Sequence, residues 1–205
     1  LKDFIAWGKA NYPAKRYLLV LWNHGGGYTG LIQDETSGGS NLMSLEQLKT
    51  GLTGSGGIDV VDFDMCLMAG YETLAKLDFL PEHTTDFIFA VFSEEVVPGE
   101  GNPYTSIIDG IQANPTQDAR TLSGMIVDRF NASFAGNKSS TTLSAYDMAG
   151  FAAFETALNS LAADLQAELP AVLDRLADER RDERGLGDER RDRRGVVVLA
   201  EDVLE

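Results

Sequence analysis

Three short runs govern what this chain can fold into: the continuously apolar Tyr17 to Trp22 (YLLVLW), Ile58 to Phe63 (IDVVDF), which carries two aspartates, and Phe87 to Phe92 (FIFAVF). Such runs, bounded by glycines and polar residues, are the pattern of strands buried on both faces of a sheet. Between them the pattern turns helical. Ser44 with Gln47 three residues on makes a capping box ahead of Leu45, Leu48 and Leu52, and the GSGG run at 54–57 ends that helix. Leu67 to Phe79 and Thr121 to Phe134 read as further helices, and Thr142 to Tyr146 as a fourth strand. A long alanine- and leucine-rich helix follows from about Gly150. Strands alternating with helices predict a mostly parallel central sheet covered on both faces, an α/β/α sandwich.

The chain has 205 residues, enough to bury roughly 70% of its unfolded surface in a real core. Its 43% hydrophobic content excludes wholesale disorder. No apolar run approaches the roughly 20 residues of a membrane-spanning helix, so no membrane span is expected. Seventeen basic residues against 32 acidic ones leave a net charge of -15. That charge repels phosphate backbones, which argues against a nucleic-acid partner, and it attracts cationic ligands. The single cysteine, Cys66, cannot make an internal disulfide. The chain opens at Leu1 without a signal-peptide pattern and reads as a fragment, so its start says nothing of compartment.

The C-terminal stretch has its own character. DERRDERG at Asp178 to Gly185 nearly repeats as DERRDRRG at Asp188 to Gly195, and the plain reading is a solvated helical extension with salt-bridged faces. The expected organisation is one domain over 1–177, this charged extension over 178–195, and a truncated strand around Val196 to Leu199 within 196–205.

In parallel sheets ligands collect beyond the carboxyl ends of the strands. The first strand delivers His24 to that edge, followed by three glycines, and the second delivers Cys66. Histidine is an acid or base near neutral pH, and a cysteine thiolate is a nucleophile. Amide cleavage also needs donors for the oxyanion; the N–H groups of Gly25 and Cys66 are the natural pair. A helix beginning near Leu67 would favour the thiolate through its dipole. The bland alternatives stand beside this: a lone cysteine at a strand end is often a small buried hydrophobe, and a histidine among glycines can be a simple turn. His83, in a loop, reads as a surface residue, and two histidines with one cysteine give no zinc spacing. The GSGG run lacks the lysine and hydroxyl residue of a phosphate-binding loop.

Four blocks carry a family resemblance: NYPAKRYLLVLWNHGGGY, VVDFDMCLMAGYETL, FSEEVVPGEGNPY and TTLSAYDM. In this order, from about Phe4 to Met148, they resemble the clostripain family of cysteine peptidases, part of the group with the caspase-like fold. The resemblance implies that His24 and Cys66 form a dyad without an obligatory third member, with Gly25 and Cys66 as oxyanion donors. It implies an endopeptidase that cleaves after arginine or lysine in protein or peptide substrates through an acidic pocket. Asp64, of the DxC motif, is the first candidate for that pocket; the alternative is a polar residue that organises the strand end. Glu94 and Glu95 are further candidates, or else only hold their loop. Asp62 is expected to point the other way and to be structural.

The chain departs from the family pattern in places. Asn102 stands where the family often carries tryptophan, which alters the expected pocket wall. The resemblance also implies a strand and helix ahead of Leu1, so the sheet is expected to lack an edge. Members often cleave themselves between the histidine and the cysteine, but Lys49 is the only basic residue in that interval and falls in a predicted helix. The expected chemistry requires no cofactor. Calcium dependence belongs to the founding member, and no EF-hand spacing occurs here, so Ca2+ is left as an implied ion. The family's habits and the acidic composition point to secretion or the cell surface. Two rival readings stay open: a non-catalytic peptide-binding module on the same fold, and an inactive fragment of a larger peptidase.

Overall fold

A computed structural model of the chain describes residues 1–34, 36, 41–55, 57–77, 89–136 and 141–185. In chain order the strands are β1 (Leu18–Trp22), β2 (Leu31–Asp34), β3 (Asn41–Met43), β4 (Val60–Asp64), β5 (Phe89–Phe92) and β6 (Ser144–Asp147). The helices are α1 (Lys2–Asn11), α2 (Leu45–Leu52), α3 (Tyr71–Leu77), α4 (Tyr104–Ala113), α5 (Ala119–Phe134) and α6 (Phe151–Gly185). The described chain divides into two compact units, 1–155 and 156–205.

The first unit is built on a sheet in the order β1-β4-β5-β6. The first two pairings are parallel and the last antiparallel, so the sheet is mostly parallel as predicted. Every residue of β4 and β5 is buried, including Asp62 and Asp64 of β4. On one face Leu21, Val61, Phe63 and Phe92 pack with Leu48 and Leu52 of α2 and Leu74 of α3. Phe63 and Phe92 meet edge to face at 5.6 Å, and full burial of such a ring contributes roughly 1.5–3 kcal/mol. On the other face Val60, Phe89 and Val91 pack with Ile107 of α4 and Ile126 and Phe130 of α5. The result is an α/β/α sandwich.

Local signals act as read. Ser44 and Gln47 form the reciprocal capping box of α2, and Lys49 lies in that helix. The long helix α6 begins at Phe151, one residue past Gly150. One expected helix starts late: α3 begins at Tyr71, not near Leu67. Residues 65–70 bond outward instead, with Leu67 N–H donating to the Glu95 carbonyl at 3.1 Å and Ala69 N–H to the Ser93 carbonyl at 3.0 Å. Leu67 itself is left-handed at φ 62°. The thiolate-favouring helix end is therefore absent at Cys66.

In the second unit α6 continues as a single helix to Gly185 with Pro170 inside it, and presents Leu161, Leu165, Leu169 and Leu176 exposed. The predicted boundary at 177/178 falls within this helix. The second charged repeat, Val196 to Leu199 and His83 lie outside the described residues.

Candidate active site

The parallel register aligns β1 and β4 rung by rung from Leu18 opposite Val60 to Trp22 opposite Asp64. Both strands therefore stop level, and His24 and Cys66 each lie two residues past the last rung. An equal overhang from adjacent parallel strands brings two residues distant in sequence to one edge. Both line a cleft of about 720 Å³, together with Trp22, Gln33, Asp64 and Val97.

Short-range bonds hold the histidine loop. Asn23 Oδ1 accepts from the N–H groups of His24 at 2.6 Å and Gln33 at 3.0 Å, tying the loop to β2. Gly25 then pairs with Leu31 in an isolated antiparallel bridge. The bonds Ile32 N–H to His24 carbonyl and Gly26 N–H to Gly30 carbonyl straddle that bridge. Gly25 is therefore a non-hydrogen-bonded pair member and turns its own N–H away from Leu31. A β-carbon on Gly25 would lie 2.2 Å from the Cys66 carbonyl oxygen, closer than real β-carbons come. Gly27 sits at φ 62°, with the Leu67 carbonyl 3.2 Å from where its β-carbon would be. The glycine run is a packing requirement: it lets one backbone lie directly on another.

The cysteine turn is fixed from the opposite side. Met65 N–H donates to the Phe63 carbonyl and Leu67 N–H to the Glu95 carbonyl, with the Cys66 N–H between them. Val97 N–H donates to Cys66 Sγ at 3.3 Å, and the thiol lies 3.8 Å from the Val97 carbonyl. The loop carrying Val97 is braced by buried Ser93, whose hydroxyl bonds the Glu95 N–H at 3.0 Å and Thr142 Oγ1 at 2.9 Å. The φ of +62° at Leu67 is strain held beside the nucleophile candidate.

Asp64 is 3% exposed and lines the cleft. Its Oδ2 accepts from the Asn102 N–H at 3.0 Å and the Tyr104 hydroxyl at 2.5 Å. Burial, then the Asp64 carboxylate, pushes the Tyr104 hydroxyl well above the usual phenol range, so it stays a donor. Asp62 corrects an expectation. It shares a face with Asp64, because residues two apart on a strand point the same way. Its Oδ2 accepts from the Asn102 carboxamide at 2.8 Å. Asn102 is itself buried and reaches both aspartates, standing beneath Asp64 and outside the cleft lining.

Glu94 and Glu95 are exposed, and neither side chain joins the cleft lining. Glu94 Oε1 accepts from the Tyr146 hydroxyl at 2.9 Å. Burial pushes the Glu94 carboxyl up, but hydrogen bonds from Ser144, its own backbone, Thr142 and Tyr146 together hold it below the usual range. Glu95 acts through its backbone, clamping Leu67. Among the described residues no group of three or more His, Cys, Asp or Glu side chains is placed to hold a metal ion. Asn23, Val97 and Tyr104 went unread in the sequence. Asn23 carries a faint signal, as asparagine at a strand end often accepts from nearby backbone N–H groups. Val97 acts through its backbone and leaves none.

Comparisons with known proteins bear on the family and the fold. The model of the clostripain family, peptidase family C11, matches residues 1–183. Clostripain of Hathewaya histolytica is 26% identical over an alignment of 205 residues, taking in 82% of this chain and 38% of clostripain. This chain thus spans well under half the length of that relative. A secreted C11 cysteine protease from Bacteroides thetaiotaomicron, solved with an irreversible peptide inhibitor, shares the fold at a TM-score of 0.59 and 22% identity, over 74% of this chain and 45% of that one. An inactive zymogen C11 protease from Parabacteroides distasonis aligns at a TM-score of 0.54 and 25% identity, over 73% and 39% of the two chains. The sandwich is the caspase-like fold. With its family model matched over residues 1–183 and its histidine and cysteine blocks at one sheet edge, the chain belongs to the clostripain family.

Proposed function

We propose that this chain carries the catalytic site of a cysteine endopeptidase that cleaves after arginine or lysine. The observation that supports it most is the shared cleft: His24, Cys66 and Asp64 line it together, and Gly25 lies backbone to backbone on Cys66. In this reading the Cys66 thiolate attacks the scissile carbonyl carbon, and the oxyanion is held by the N–H groups of Gly25 and Cys66. Each such donor is worth about 10²–10³-fold in rate. His24 passes its proton to the leaving amine as the C–N bond breaks, leaving a thioester on Cys66. His24 then takes a proton from water, whose oxygen attacks the thioester and frees the acid and the thiol. Asp64, buried with Oδ1 unpartnered among the described residues, receives the basic side chain. Its substrates are proteins or peptides with accessible basic residues, met outside the cell or at its surface.

An arginyl ketone reagent tests this, read by intact mass on the wild-type chain and on Cys66→Ala. The reagent alkylates a thiol only where an activated sulfur and a basic-residue pocket stand side by side. One adduct on the wild type and none on the variant is the expected result. A folded wild-type chain that takes no adduct overturns the reading in favour of a peptide-binding module.

A further inference from the structure

Asp62 occupies a place where an apolar residue would be ordinary. It sits in the middle of β4, 1% exposed, opposite Val20 of β1 and Val91 of β5. An ionised carboxylate there is strongly disfavoured unless something compensates it. The compensation is a single side chain: Asn102 gives its carboxamide to Asp62 and its backbone N–H to Asp64, so one residue holds both carboxyl groups. Three buried oxygens of this group, Asp62 Oδ1, Asp64 Oδ1 and Asn102 Oδ1, have no hydrogen-bond partner among the described residues. Acceptors in excess of donors mark a place that takes up a proton or a cation. Gly101 closes the group from above, since a β-carbon there would come 2.8 Å from Asp64 Oδ2.

Resting on the reading that Asp64 receives a basic side chain, we propose that Asp62 is a second acid of that subsite, which fixes the Asp64 carboxyl through Asn102 and sets by its own charge how strongly the subsite holds a cation. Asp62 does not line the cleft, so it is a positioning residue. It also gives the asparagine at 102 a purpose, because an indole there would have no carboxamide to donate.

The sign of the effect follows from what surrounds Asp62. Burial, then the Asp64 charge, pushes its carboxyl up to about 8, against one lowering hydrogen bond from Asn102. Asp64 on its own strand and Tyr104 at the start of α4 are the titratable groups beside it. Strands β1 and β5 carry no charged residue. On the covering helices Asp109, Asp128 and Arg129 are exposed, and Arg120 is paired with Asp147. The empty subsite therefore gains a charge at Asp62 as pH rises through the region of 8. A guanidinium against Asp64 favours ionised Asp62, so cation binding and proton release are linked. An uncharged side chain feels no such change.

The test compares two peptides that differ only in arginine or citrulline before the scissile bond. His24 and Cys66 serve both, so their titration cancels in the ratio of the two kcat/KM values. In the wild type the arginine-to-citrulline ratio rises roughly tenfold between about pH 6.5 and 9.5, and in a folded Asp62→Asn it stays within about twofold. A flat ratio in the wild type, or the same rise in Asp62→Asn, overturns the proposal. Calorimetry on Cys66→Ala with an N-acylated arginine amide reads the subsite without turnover: affinity rises with pH and a proton is released, and both effects vanish when Asp62→Asn is added. If the wild type cleaves nothing while this binding pattern holds, the peptidase reading falls and Asp62 keeps its role. If neither cleavage nor binding is found, both fall.

Discussion

Gly25 and Cys66 meet backbone to backbone, with room for no atom where a β-carbon on Gly25 would be, 2.2 Å from the Cys66 carbonyl oxygen. Met65 and Met68 side chains close the same space at 3.0 Å. Gly25→Ala must therefore push the histidine loop off the cysteine turn. Stability should fall by about 1–3 kcal/mol in urea unfolding. Peptide cleavage should fall by about 10²-fold or more, because the displaced N–H no longer faces the oxyanion. A variant that cleaves like the wild type would show that Gly25 is a turn residue only.

Asp64→Asn keeps the shape and an acceptor oxygen for the Asn102 N–H and the Tyr104 hydroxyl while removing the charge. Selectivity for an arginine peptide over its citrulline twin should drop by roughly 10²-fold or more, as when one partner of a buried charge pair is lost. Iodoacetamide, which needs no basic pocket, should still modify Cys66. Unchanged selectivity in competition assays would move the basic-residue pocket away from Asp64.

Asp62→Asn should alter how stability depends on pH. The carboxyl is raised in the folded state from an unfolded value near 3.8 to about 8, so the folded chain binds more protons between those limits. Its contribution is therefore fully present at low pH and declines as pH rises towards 8. Melting curves should show the variant gaining on the wild type by several degrees from about pH 5 to about pH 8, then levelling. A difference in Tm that does not change with pH would mean Asp62 is ionised throughout.

Leu67→Gly removes the side chain from a residue held at φ 62°. Relief of that conformation should raise stability by about 0.5–1 kcal/mol, net of the entropy a glycine loses on folding. Denaturant midpoints check it, and a loss of stability would mean the Leu67 side chain contributes more than its backbone costs.

Much of this was legible because buried parallel strands advertise themselves. The runs at 17–22 and 87–92 have no polar alternation to confuse them, and the two residues past the first two strands follow from topology. The capping box at Ser44 is equally plain. The expected direction of Asp62 failed for a different reason: the parity that puts 64 with 66 puts 62 there as well. Its burial depends on Asn102, forty positions away, and no local pattern reports such a partner. The late start of α3 was hidden likewise, since residues 65–70 take their bonds from Ser93 and Glu95 rather than from a helix. The β2–β3 hairpin and Val97 act through backbone pairing, which side-chain patterns do not encode.

The rung between Trp22 and Asp64 turns the placement of His24 and Cys66 into a matter of counting. One residue added between Trp22 and His24 would carry the imidazole about 3.3 Å further along and swing it to the opposite side. Lengthening the connection from β3 to β4 changes neither count. Insertions in that connection leave the register of the two residues intact, whereas one in either step of two residues breaks it. Any reshaping of this scaffold by addition of segments has to leave those two steps alone.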